Sequence, residues 1–173
     1  MATPPAADAP SPAKHRAWLR LGAKTVHDVA SIAFGGALAA CLVINAGADP
    51  ASPAAFLAWR QAFASIAQAI LVPSMAVVVL SGLLALAATR GYRDAGWAWV
   101  KALLGLSVFE ATLVVVGAAG RHAEIAAASA ANDLATLQGL LRSERITLWL
   151  LVALGVVNVV LAVWRPRLAV RVR

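Results

Sequence analysis

Residues 97–121, WAWVKALLGLSVFEATLVVVGAAGR, decide the fold class of this 173-residue chain. Nineteen residues, 102–120, separate Lys101 from Arg121, and Glu110 is the one charged residue among them. About twenty apolar residues, each rising ~1.5 Å, cross a bilayer core of roughly 30 Å. The stretch therefore reads as a membrane helix with Trp97, Trp99 and Lys101 at one mouth and an acid near its middle. An ionisable residue at that depth is costly enough to mark a functional site.

The rest of the chain agrees. It is 61% hydrophobic and 13% charged, with a mean hydropathy of +0.78. A water-soluble domain of this length could not cover so much apolar surface, so lipid is the solvent for most of it. The net charge of +7 reflects membrane topology rather than a nucleic-acid partner. Cys41 is the only cysteine, which excludes an intrachain disulfide and any CxxC motif. No phosphate-cradling glycine loop, HExxH, GxSxG or Cys/His metal spacing occurs, so hydrolytic catalysis has no support.

Four spans are expected, at about 25–46, 66–88, 98–119 and 146–164, within a membrane domain of 25–164. Residues 1–24 read as a disordered basic tail, and 165–173 as a basic C-terminal tail. Ala46-Gly47-Ala48 resembles a signal-peptide cleavage site. The long preceding region and the full-length apolar run favour a retained span. Asp49-Pro50-Ala51-Ser52-Pro53 breaks the first helix, with a mildly amphipathic surface helix at 54–65 to follow. Pro73 is expected to kink the second span. Arg90–Gly96 is a tight loop, which makes the third span antiparallel to the second. The polar stretch 122–145 is expected to form a further outer helix with a break at Asn132-Asp133.

Four spans put both termini on one side of the membrane. That side holds Lys14, Arg16, Arg20, Lys24, Arg90, Arg93, Lys101, Arg165, Arg167, Arg171 and Arg173, eleven of the 15 basic residues. The positive-inside rule makes it cytoplasmic. The expected fold is an all-α, up-down-up-down bundle of four transmembrane helices with both termini cytoplasmic, in a cell inner membrane. Arg60, His122 and Glu124 fall on the outer side as a solvated rim.

Three sets of residues could carry chemistry. On the first span, His27, Ser31, Phe34, Leu38, Cys41 and Asn45 lie within about 40° on a helical wheel. This polar stripe (Ser31, Cys41, Asn45) is expected to face inward. His27 is then either a pocket residue at the cytoplasmic mouth or a headgroup-level histidine beside Asp28. Lys101 either lines the same pocket or snorkels to the interface. Glu110 lies nine residues on, about 900° of helical turn and hence on the opposite face. Either Lys101 turns inward with Gly105, Val108 and Thr112, or Glu110 does, with Ser107 and Gly117. Glu110 could bind helices together, through Ser74 or Asn158, or handle a proton or ligand.

Two segments carry a resemblance. Thr25-Val26-His27 followed by Gly35-Gly36, and Ser81-Gly82-Leu83-Leu84 followed after a short loop by Trp97-Ala98-Trp99-Val100-Lys101, resemble the copper-resistance-protein-D-like superfamily. That group of small integral membrane proteins is similar to the membrane-embedded haem-binding protoporphyrinogen oxidase of bacteria. The resemblance spans about residues 20–118. It implies that His27 is a candidate axial ligand of haem b and that Lys101 is an inward partner for a porphyrin carboxylate or the reacting centre. The chain departs from the pattern at Asp28, directly after the histidine, and at Glu110. Asn158 is also the fourth span's only polar interior residue.

The leading expectation is thus a haem-binding or metal-handling module, rather than a complete enzyme, with a cytoplasmic-side pocket at His27 and Lys101. The alternatives are an accessory subunit or assembly factor that meets partner helices through Glu110, in a homo-oligomer or larger membrane complex, and a minimal proton-coupled transporter.

Overall fold

The computed structural model describes residues 12–119 and 122–164. Residues 1–11, Gly120-Arg121 and the expected basic tail at 165–173 lie outside them. All regular structure among the described residues is helical, and four helical stretches are long and apolar enough to cross a membrane.

Helix α1 runs from Pro12 to Gly47. It starts well before the expected span, so residues 12–24 extend the first membrane helix instead of forming a tail. The helix stops where Gly47 gives way to Asp49-Pro50. Asp49 Oδ1 accepts the Ala51 N–H at 3.0 Å, and this local bond turns the chain.

Helix α2 (Pro53–Ile66) opens on a proline, whose missing N–H costs nothing in a first turn. It passes through a π-helical turn, Ala67–Leu71, into α3 (Val72–Ala88). In that turn the Val72 N–H reaches back five residues to the Ala67 carbonyl. Pro73 follows at once; its ring would crowd the carbonyl four residues back and it has no N–H to donate. Widening the preceding turn accommodates both defects without stopping the helix. The result is one continuous helical stretch of 36 residues, Pro53–Ala88. At ~1.5 Å per residue it is longer than a bilayer core is thick. The separate surface helix expected at 54–65 is in fact the first half of this rod, with Phe56 and Phe63 fully buried.

A short α4 (Arg90–Arg93) turns the chain into α5 (Gly96–Ala119), and α6 (His122–Ala130) follows. The expected break at Asn132-Asp133 is present. Asn132 adopts φ 55°, a left-handed conformation that asparagine tolerates. Helix α7 then runs unbroken from Leu134 to Trp164, so 134–145 belongs to the fourth span's own helix.

Asp133 caps α7, its carboxylate accepting the Thr136 hydroxyl at 2.6 Å and the Thr136 N–H at 3.1 Å. The hydroxyl first, then the N–H, hold its pKa below the ordinary carboxylate value. A depressed pKa means that the cap contributes fully above that ordinary value and is lost as pH falls through the lower, folded one. Amide exchange at Thr136 is therefore expected to accelerate in acid. Asp133→Asn, a neutral cap, should flatten that response.

Packing follows chain order. Helix α1 lies against α3 and α7, and α5 closes the ring between α3 and α7. The main core joins Phe34 and Leu38 of α1, Leu71 and Met75 of the rod, Val108 of α5 and Leu148 of α7. A smaller cluster, Phe56, Ile125, Leu137 and Leu141, seats the α6–α7 hairpin on α2. Leu103, Val114, Val156 and Val163 are exposed. An apolar girdle of this extent needs lipid against it, and the chain is a multi-pass integral membrane protein.

Candidate functional site

The polar residues of the bundle sort into two layers and one isolated acid. The first layer surrounds His27. Its Nδ1 lies 3.1 Å from the Val78 carbonyl and 2.9 Å from Ser81 Oγ. A proton on Nδ1 fits both contacts, since a carbonyl only accepts, and in that neutral tautomer Nε2 keeps its lone pair. Ser81 in turn donates to the Val77 carbonyl at 2.6 Å. Gly82 provides room for the ring, since a Cβ there would sit 3.7 Å from His27 Cε1. Asp28 and Lys101 both lie within electrostatic reach of the imidazole.

Lys101 is half-buried on α5. Its carbonyl lies 3.5 Å from Asn158 Nδ2 on α7, and Gly105 one turn on leaves 3.9 Å between its missing Cβ and that nitrogen. Val108 and Thr112 are buried on the same face. The α5 face bearing Lys101 is therefore the one that packs inward. His27 and Lys101 thus lie within electrostatic reach of each other, on α1 and α5.

Glu110 is on the opposite face. It is exposed, as are Ser107 and Gly117. The partners expected for it are engaged elsewhere: Ser74 donates to the Ile70 and Leu71 carbonyls of its own helix, and Asn158 meets Lys101. Nine residues beyond Lys101, the acid stands about 13 Å further along the helix axis, inside the apolar stretch Gly96–Gly117. It thus points away from the bundle interior rather than gluing the helices.

The second layer was not anticipated. Arg60 on α2 grips Glu144 on α7 through both ends of its guanidinium, Nη1 to Oε2 at 2.6 Å and Nη2 to Oε1 at 2.7 Å. Both side chains are buried, 6% and 5% exposed. Asn45 of α1 joins them, donating Nδ2 to Leu141 O at 3.1 Å and to Glu144 Oε2 at 3.3 Å. Arg145 donates Nε to Asn45 Oδ1 at 3.0 Å and Nη2 to the Asn45 carbonyl at 3.3 Å. That carbonyl belongs to the last turn of α1, which has no basic residue of its own, and a cation there complements the helix dipole. The Arg60 guanidinium also lies 4.9 Å over the Phe63 ring.

Two expectations change accordingly. Arg60 is a buried ion-pair partner rather than a solvated rim residue. The polar stripe of α1 holds for Cys41 and Asn45, which are buried, but not for Ser31. Ser31 is exposed and bonds back to the His27 carbonyl at 2.8 Å. The side chain of His122 falls outside the described residues. From His27 to Asn45 is 18 residues, about 27 Å of helix, close to the thickness of a bilayer core. The two polar layers are therefore about one bilayer-core thickness apart.

A haem axial ligand needs a ring nitrogen with a free lone pair and an acceptor that holds the other nitrogen's proton. His27 with Val78 meets both needs. A cleft of about 350 Å³ is lined by Leu83, Leu86, Ala87, Arg93 and Trp99, and His27 does not line it. Among the described residues no three His, Cys, Asp or Glu side chains converge as a metal-binding group would. Compared with protein-family models, curated proteins and solved structures, the chain has no match.

Proposed function

We propose that this protein is an inner-membrane subunit that works by lateral association, offering α5 and Glu110 to a transmembrane helix of a partner. The observation that carries this reading is the exposed Glu110, which has no hydrogen bond or ion pair among the described residues. A carboxyl facing hydrocarbon is expensive, and a partner group that bonds it removes that cost. Exposed Ser107 and Gly117 on the same face let another backbone approach closely. The up-down-up-down order with cytoplasmic termini fits the placement of the basic residues.

The test places a photo-cross-linking residue at Leu106 or Leu113, both exposed beside Glu110. The expected result is a defined adduct in membranes that persists in Glu110→Gln and disappears in Glu110→Leu. An adduct pattern indifferent to both substitutions would sink the proposal.

A second reading rests on His27, whose Nδ1 proton is held by Val78 and whose Nε2 could ligate haem, with Lys101 close by to meet a carboxylate. The purified protein, supplied with haem, would then show a Soret band that shifts on dithionite reduction and is absent in His27→Ala. A colourless natural protein, or the same band in His27→Ala, would reject it.

A further inference from the structure

The turn between α3 and α5 builds a cleft that neither reading uses. Leu83, Leu86 and Ala87, on the last two turns of α3, line it together with Trp99 of α5. Arg93, at the end of α4, completes the lining of a space of about 350 Å³. Every other lining residue is apolar or aromatic. The Trp99 indole N–H donates to the Arg93 carbonyl at 2.9 Å, which ties these two lining residues together. Tyr92 meets Trp97 edge-on at 5.8 Å and braces the turn behind it.

Arg93 is exposed, and among the described residues its guanidinium enters no hydrogen bond or ion pair, not even with its neighbour Asp94. The cleft lies at the Lys101 end of the bundle, where tryptophans mark the headgroup layer. A cationic side chain with no ion-pair partner among the described residues, beside an apolar slot at that depth, is complementary to an amphiphile with a negative head and a hydrocarbon tail. A zwitterionic lipid carries its own cation beside the phosphate, which competes with Arg93; an anionic lipid does not.

We propose that the α3–α4–α5 cleft binds one anionic phospholipid, its acyl chain along Leu83, Leu86, Ala87 and Trp99 and its phosphate on Arg93. The geometry supplies two independent handles, one for charge and one for the chain, and each can be removed alone. Arg93 and Ala87 are both exposed, so neither substitution below disturbs the core.

The test is native mass spectrometry of the detergent-solubilised full chain, titrated with phosphatidylglycerol or phosphatidylcholine of identical acyl chains. One phosphatidylglycerol should bind with an affinity at least about fivefold above phosphatidylcholine, the worth of one cation near a headgroup. Arg93→Gln should abolish the preference. Ala87→Phe, which fills the slot and leaves Arg93 in place, should weaken binding of both lipids. Equal affinities in the natural protein would overturn the proposal. So would a preference that survives Arg93→Gln, or an Ala87→Phe protein that binds as before.

Discussion

Replacing Glu144 with leucine is expected to cost about 3–5 kcal/mol of stability, because it leaves the Arg60 guanidinium buried without its counter-charge. The substitution removes both arms of the bidentate pair, at 2.6 and 2.7 Å, and the Asn45 bond at 3.3 Å. It acts on α1, α2 and α7 at once, since the network takes one residue or more from each. Arg60→Leu should be similarly severe, leaving a buried carboxylate with only Asn45. The double substitution should recover most of the loss, because a buried ion pair replaced by apolar side chains is often neutral or better. Unfolding of the four proteins in one detergent closes the double-mutant cycle. Losses that simply add would show that Arg60 and Glu144 do not act as a pair.

Replacing Glu110 with leucine is expected to have the opposite sign for the isolated bundle. An acid near the centre of a span costs about 2–3 kcal/mol in insertion free energy, whereas leucine there is favourable. Glu110 touches nothing that the bundle needs, so Glu110→Leu should leave the monomer as stable or stabilise it by about that amount. The same protein should lose its association with a partner helix, while Glu110→Gln keeps it, since an amide still donates and accepts. Stability in detergent and co-purification from membranes, measured on the same preparations, separate the two effects. A destabilised Glu110→Leu monomer would mean that the acid has a partner inside the bundle. Gain of stability with loss of association marks a residue kept for binding.

The membrane character of the chain could be read directly, for a simple physical reason. Hydrocarbon imposes one demand on every residue in a span, so the length and composition of 102–120 or 146–164 suffice without any knowledge of neighbours. Helix ends were harder to place. The stretches 54–65 and 134–145 are polar enough to read as separate surface helices, yet the rod passes Pro73 through one widened turn and α7 never breaks. Whether a proline stops or merely loosens a helix depends on the packing around it, here Ala67 and Leu71 held fully buried against the core.

Helical spacing settled that Lys101 and Glu110 must face opposite ways, and the packing of α5 on α7 decided which way. Asn158 lies against Gly105 and the Lys101 carbonyl, and that packing leaves Glu110 on the outward face of α5. The Arg60–Glu144 pair left only a faint trace in the sequence, two opposite charges near the outer ends of two spans, 84 residues apart. Burial and pairing depend on which helices become neighbours and at what height, which one-dimensional periodicity does not contain. The sequence by itself determined the solvent, the spans and the opposition of two faces. The tertiary structure alone decided which charges are paired inside the bundle and that Glu110 is turned outward.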